Sequence, residues 1–429
     1  MAQITVSSLR VFFFTIVTSI VWTHSFSCRG KFDHDESWFI VYKLPKLSDY
    51  MDENVQDGVA SYYMDSASSE WEYQSNPISG TEHAIYHTLK PLYDRYTDND
   101  VSYLLYNDHP PRTGSSTNYG HAKGVLLFDG NLQKGFWMVH SLPRFPENPE
   151  PFGIYSWALN KRDENETSYG QIFMCISFEQ AELTKIWEQV KSYKPRVYSR
   201  KGFQQFTDDI MFPPSSSNSI TTGTSSKNKW KRVKKTAMKV KAHKPKKARA
   251  RHRKTRVNSQ TQNDDGFISI AKQHGHDVEI YSYIADRLKL TDVFAQTWRN
   301  GAGGKLPSCR GSTSRQGISV HNFQMQNVVK LKFPEVHGMS VEYATTKDHS
   351  KWAISNDNNR PWTCIGDLNR MESQKKRGGG FMCISSQSVR KAFYELIPKQ
   401  NGYEPVLLNG AGCPTSNFGF VSDTNVNPA

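Results

Sequence analysis

The chain has 429 residues, 12% of them aromatic and 37% hydrophobic, which is enough for two ordinary domains or one large domain built from two halves. A chain too polar to bury a core is thereby excluded. The net charge of +13 suggests a nucleic-acid partner, but 16 Lys and Arg with no Asp or Glu lie between Lys227 and Arg256, and without them the remainder is −3. Global charge alone therefore does not identify a nucleic-acid binder.

In chain order, Arg10 closes a weakly positive start, Val11 to Trp22 is mostly apolar, and Ser25 and Ser27 supply small residues before Cys28. That is the layout of a cleaved secretory signal over residues 1–27, and the run is too short to span a bilayer. A buried N-terminal element is the competing reading. The expectation is an exported chain starting near Cys28, lysosomal or secreted, with no membrane partner. Six cysteines remain, Cys28, Cys175, Cys309, Cys364, Cys383 and Cys413, and an even count in an exported chain favours disulfides with fifteen possible pairings. None forms a CxxC, so a structural zinc site is not expected, and no cofactor is assigned. Asn165-Glu166-Thr167 is a glycosylation sequon.

The first half, residues 28–206, carries apolar runs that read as buried strands: Trp38 to Tyr42, Tyr103 to Tyr106, Gly124 to Phe128 and Phe136 to Val139. Residues 207–265 are Pro-, Ser- and Thr-rich and then Lys/Arg-rich, with few groups able to form a core, and read as a disordered insert. A second half, residues 266–413, follows, and then a short polar tail, 414–429. The halves share an echo. Phe173-Met174-Cys175-Ile176-Ser177 recurs as Phe381-Met382-Cys383-Ile384-Ser385, and each copy precedes an amphipathic helical pattern. Leu183, Ile186, Trp187 and Val190 share one face in the first, and Val389, Phe393, Leu396 and Ile397 in the second. Two copies of one α/β unit follow as the architecture.

Upstream of each echo stands a His-x-Lys: His121-Ala122-Lys123 and His349-Ser350-Lys351. Strand alternation would put each imidazole and its ammonium on one side. Such a set suits phosphodiester chemistry. A neutral imidazole attacks phosphorus, a protonated one donates to the leaving oxygen, and two ammoniums neutralise the non-bridging oxygens. A third triplet, His252-Arg253-Lys254, belongs to the basic tract and is compositional. Placement, one pair per half beside a strand, raises the paired site above a chance motif, and two unrelated surface histidines stand as an equal alternative on spacing alone.

Longer strings point further. Tyr42-Lys43-Leu44-Pro45, Leu104 to Asp108, Gly120-His121-Ala122-Lys123-Gly124 and Gly135 to Ser141 closely resemble the deoxyribonuclease II family. So do Asp348-His349-Ser350-Lys351-Trp352, Pro361 to Asp367, Asn369-Arg370 and Arg377 to Gly380. The resemblance spans Trp38 to about Ile397 apart from the insert. It implies an α/β phospholipase D-like pseudo-dimer, two α/β halves with a central mixed sheet in each, sharing one site. It also implies a DNA substrate, cut as the double strand at acid pH without metal to leave 3′-phosphate and 5′-hydroxyl ends. His121 would then be the nucleophile, passing through a phosphohistidine, and His349 the general acid, with Lys123 and Lys351 on the phosphate oxygens; the residues themselves do not decide which imidazole attacks. His140 matches a further histidine associated with activity, against a structural histidine ending a strand. Ser141 and Asn369, each twenty residues after its motif histidine, are candidate substrate-binding supports. The implied disulfides are Cys28–Cys175, Cys364–Cys383 and Cys309–Cys413. The third acid of the phospholipase D pattern is out of place: Phe128 and Asn356 hold its positions, with Asp129 and Asp357 one step late, so no catalytic carboxylate is assigned.

The basic tract, absent from the family pattern, would tether DNA phosphates or form a solvated or cleaved loop. Two other functions compete with the acid endonuclease: a phosphodiesterase for another substrate, and a catalytically silent DNA-binding or toxin-like secreted protein. Retention of both His-x-Lys pairs speaks against the silent protein. Oligomeric state is left open.

Overall fold

The computed structural model describes residues 26–157, 165–203, 266–301, 303–315, 319–407, 410, 412–415, 418 and 421–429, and every structural statement below concerns these. The expected leader, apart from Phe26 and Ser27, and the whole of the expected insert, including the basic tract, lie outside them. Phe26 is fully buried in the first core, where the Arg95 guanidinium sits 4.8 Å from its ring.

A small ribbon pairs β1 (Cys28–Arg29) with β2 (Asp35–Glu36). The first half then supplies β3 (Trp38–Lys43), β4 (Ser61–Asp65), β5 (Glu72–Gln74), β6 (Val101–Asn107), β7 (Lys123–Asp129), β8 (Lys134–His140), β9 (Gln171–Glu179) and β10 (Val197–Lys201). They form one eight-stranded sheet, β10-β6-β7-β8-β9-β3-β4-β5, antiparallel at every pairing. The second half supplies β11 (Gly266–Lys272), β12 (Asp292–Gln296), β13 (Cys309–Arg315), β14 (Ser319–Asn327), the separate hairpin β15 (Lys330–Val336) and β16 (Met339–Ala344), then β17 (Trp352–Ser355), β18 (Trp362–Gly366), β19 (Gly379–Ser385) and β20 (Val421–Asn425). Apart from the hairpin these make a second eight-stranded sheet, β13-β14-β12-β17-β18-β19-β11-β20, in which β12 and β14 run parallel. The fold is thus the expected α/β pseudo-dimer, with the second sheet mixed and the first wholly antiparallel rather than mixed: β7-β8-β9-β3 in one sheet and β17-β18-β19-β11 in the other have the same order.

The continuous apolar runs are strands because both faces of each sheet are covered, so period-two polarity is not needed. All residues of β3 and β7 are buried. Phe39, Val41, Val125, Leu127 and Phe173 meet the helix Ala84–Arg95 on one face. Tyr42, pointing the other way from its neighbours, reaches the second half, donating to Asp348 Oδ2 at 2.7 Å and stacking edge-on against Phe333. Each echo strand is followed by its expected helix, Gln180–Ser192 and Gln387–Glu395, with Ile186, Trp187, Val190, Val389 and Phe393 buried. Leu183 is only half-buried, and Leu396 and Ile397 are buried just beyond the helix end.

The stretch expected as a polar tail instead contributes β20, which pairs with β11. An edge strand is held by its backbone, so Val421–Asn425 needs no apolar pattern and gives the sequence no strand signal. Three disulfides close the body: Cys28–Cys175, Cys309–Cys413 and Cys364–Cys383, spanning 147, 104 and 19 residues. These are the pairs the resemblance implies, and loop-closure entropy makes each worth on the order of 3–5 kcal/mol. The echoed cysteines, Cys175 and Cys383, take different partners, one tying down the N-terminal ribbon and one its neighbouring strand.

Candidate active site

Each His-x-Lys sits at the entry to a strand rather than within it. Lys123 opens β7, and Lys351 precedes β17 by one residue. Strand alternation therefore does not position the histidines. What does is an exchange between the halves: the His121 N–H donates to Gly378 O at 2.7 Å, and the His349 N–H donates to Gly170 O at 2.8 Å. Gly170 and Gly378 are equivalent, each three residues before its Phe-Met-Cys-Ile-Ser. A side chain at Gly378 would run into backbone, and one at Gly170 would displace a buried carboxyl. A Cβ on Gly170 would lie 2.8 Å from the Asp348 carboxyl, and one on Gly378 would lie 2.2 Å from Tyr193 O.

The loops carrying these glycines are fixed by another equivalent pair. Lys43, ending β3, donates Nζ to Thr167 O at 3.1 Å as well as to Leu44 O and Gly58 O. Lys272, ending β11, donates Nζ to Lys375 O and to Gln374 O. Thr167 and Lys375 each stand three residues before the glycine. A buried ammonium that satisfies buried carbonyls holds the loop in place. Burial lowers Lys43 to about 7 and Lys272 to about 8.

Around His121 the surroundings are charged. Nδ1 lies 2.6 Å from Asp367 O, and a carbonyl only accepts, so Nδ1 carries the proton and the Nε2 lone pair is free. Asp108, just after β6, reaches Lys123 Nζ, receives Arg377 at 3.0 Å and stands 3.9 Å from His121 Nε2. Burial pushes Asp108 up, but Lys123, His121 and Arg377 outweigh it and hold the carboxyl well below its usual range. His121 itself is pushed well down, by burial first and then by Lys123, with Asp108 opposing. The Asp367 carboxylate accepts the backbone N–H groups of Lys123 and Gly380, and burial raises it to about 7.

Around His349 the surroundings are aromatic. Tyr169 lies parallel to the imidazole, 4.0 Å between centroids and 11° between planes, and Trp298 meets it edge-on at 4.5 Å and 63°. His349 Nε2 is buried and has no hydrogen-bond partner among the described residues. Burial, then Lys351, Lys123 and Lys43, push His349 down to about 2. Lys351 donates Nζ to His349 O and is lowered to about 7 by burial and by Lys123. The crossed influences, Lys351 on His121 and Lys123 on His349, bring the two pairs into one electrostatic neighbourhood.

The remaining sequence candidates lie around this cluster. His140, ending β8, is buried between Phe145 and Phe173, with centroids at 5.6 and 5.5 Å, and burial lowers it to about 3; it makes no hydrogen bond to the four motif side chains. Ser141 Oγ donates to Gln171 Oε1 at 2.5 Å and accepts from the Ile172 N–H. Asn369 is buried, and its Oδ1 has no hydrogen-bond partner among the described residues. Asp129 is ion-paired to Arg95 at 2.9 Å, at the far end of β7 from Lys123. Asn165 opens a four-residue helix, and its side chain lies outside the described part. Sequence reasoning gave no role to Asp108, Asp367, Arg377, Tyr169 or Trp298. A signal for Tyr169 and Arg377 existed, since each immediately precedes the echoed glycine. Asp108 and Trp298 follow equivalent strands, β6 and β12, whose correspondence no residue string announces.

Against known proteins, residues 27–403 match the family model described as Deoxyribonuclease II. Deoxyribonuclease-2-beta of Mus musculus is 32% identical over 393 residues, covering 90% of this chain and 95% of that protein. Plancitoxin-1 of Acanthaster planci is 31% identical over 407 residues, covering 93% and 99%. Deoxyribonuclease-2-alpha of Mus musculus is 30% identical over 400 residues, covering 89% and 95%.

Proposed function

Since the chain belongs to the deoxyribonuclease II family, we propose that it is an acid endodeoxyribonuclease that hydrolyses double-stranded DNA through a phosphohistidine, with its own ammoniums rather than a metal balancing the phosphate charge. The carrying observation is the reciprocal seating of the two motif histidines, each held by the other half's glycine carbonyl. His121 Nε2, free because Nδ1–H is engaged by Asp367 O, attacks phosphorus. The P–O5′ bond breaks, and O5′ takes the proton from His349. A water then gives its proton to His349 and attacks phosphorus. The P–N bond breaks with its electrons returning to Nε2, leaving 3′-phosphate and 5′-hydroxyl ends. Asp367 O stabilises the positive ring while phosphorus is attached, and Lys123 and Lys351 hold the non-bridging oxygens.

The electrostatics support acid conditions. Burial and the lysines keep both imidazoles neutral in the empty site. A phosphodiester anion offsets the lysines, raises His349, and lets a mildly acidic solution supply the proton. Three disulfides support an exported protein, lysosomal or secreted. The basic tract is assigned to tethering DNA phosphates, with binding that weakens steeply with salt.

The test is end-group analysis of plasmid fragments across a pH series with chelator present. The proposal expects 3′-phosphate and 5′-hydroxyl ends, with activity rising toward about pH 5. Cleavage that disappears with chelator, or 5′-phosphate ends, would refute it.

A further inference from the structure

The two halves are equivalent in backbone but not in what they place beside their histidines. The residue before the echoed glycine is Arg377 on the His121 side and Tyr169 on the His349 side. The residue following the strand next to the motif strand is Asp108 on one side and Trp298, two positions past β12, on the other. Arg377 and Asp108 are paired ions. Tyr169 and Trp298 form an aromatic corner, 6.4 Å between centroids and 73° between planes. Tyr169 and Trp298 are each mostly but not fully buried, so neither is enclosed core.

We propose that this corner, with the partly exposed Tyr169 as its wall, is a nucleobase-stacking subsite for the leaving nucleoside. The inference rests on the nuclease reading above, which fixes the side. If His349 protonates O5′, the nucleoside beside His349 is the one on the 3′ side of the scissile phosphate, which departs with the 5′-hydroxyl. Tyr169 already lies against the imidazole through one face; its other face is the surface offered to that base. Trp298 is the less available ring, with its six-membered edge against Gly301 and Nε1 buried. It positions His349 and backs the corner. Stacking on an aromatic ring accepts any base, because every base has a π-face, so the subsite gives affinity without sequence preference. On the opposite side, the ionic trio of Asp108, Arg377 and Lys123 offers no flat apolar face.

The experiment uses the full chain and oligonucleotides with one phosphodiester among methylphosphonate linkages, so that one bond is cleaved. The base on the leaving side or on the retained side is deleted. In the wild-type protein, deletion on the leaving side lowers kcat/KM about tenfold, and deletion on the retained side much less. The same ratio, intact over base-deleted, falls to near one in Tyr169→Ala and is kept in Tyr169→Phe. A ratio compared within one variant cancels any disturbance of His349, so a merely structural role leaves it unmoved. Tyr169→Leu serves the same comparison if the alanine variant does not fold. An unchanged ratio in Tyr169→Ala, or dependence on the retained base instead, overturns the proposal. Failure of the wild-type protein to cleave any of these substrates counts against the nuclease reading, a separate result.

Discussion

His121 and His349 occupy matching backbone seats in opposite electrostatic settings. The first has a carboxylate 3.9 Å from Nε2, tied to Lys123 and Arg377, and a carbonyl on Nδ1. The second has two aromatic rings and a buried Nε2 with no hydrogen-bond partner among the described residues. Duplication of an α/β unit fixes where backbones go, since the glycine–histidine exchange and the Lys43 and Lys272 anchors recur in both halves. It leaves the side chains at two positions free to diverge, and on the proposed mechanism that divergence is what distinguishes the attacking imidazole from the one that serves the leaving oxygen.

The bluntest way to break the comparison is to remove either imidazole. His121→Ala and His349→Ala are each expected to lower plasmid nicking by about a thousandfold or more, because neither substitutes for the other. A variant retaining a tenth of the activity would show that the two do not share one reaction. Asp108→Asn tests the charged side. It leaves Lys123 and Arg377 facing a neutral amide in a buried site, at a cost of about 3–5 kcal/mol in stability by denaturant titration. The carboxylate also favours the His121 imidazolium, so its loss should move the acid limb of the rate profile to lower pH. A limb that stays in place argues that Asp108 does not act on His121.

The empty protein should lose stability as pH falls below about 6.5, the ordinary imidazole value. His83 and His140, both at about 3, His349 at about 2, and His121, also depressed, bind protons in the unfolded chain that the folded protein refuses. His274 is lowered as well, while Asp367, raised to about 7, and Asp348 and Glu36, both raised by burial, act the other way, three carboxyls against five histidines. Melting temperature measured from pH 7 to 4.5 should fall. A flat or rising profile would show that these histidines are solvated. The smallest effects sharpen the equivalence of the halves: Lys43→Met and Lys272→Met should each cost about 1–3 kcal/mol by chemical denaturation, with Lys43 the larger because it satisfies one more carbonyl. A negligible loss at Lys43 would contradict its anchoring role.

How much of this was legible in the letters depends on range. The buried strands, the echo, both His-x-Lys pairs and the two amphipathic helices are local patterns, and the structure has a strand or helix at each. The glycines at 170 and 378 were within reach, since aligning the echoes puts them in register. The ionic trio joins positions 108, 123 and 377, and the aromatic corner joins 169 and 298 to 349; no periodicity links residues that far apart. β20 was missed for another reason, because an edge strand carries no apolar signature.

The central claim is that His121 attacks a phosphorus that His349 serves. It is tested most directly by trapping the adduct. With thymidine 3′-(p-nitrophenyl phosphate), whose leaving group needs no acid, His349→Ala should release a burst of p-nitrophenolate. Alkaline quench and peptide mass mapping should then find a nucleotidyl group on His121, persisting because the base for its hydrolysis is gone. An adduct on another residue, or steady turnover with no adduct, would contradict the account.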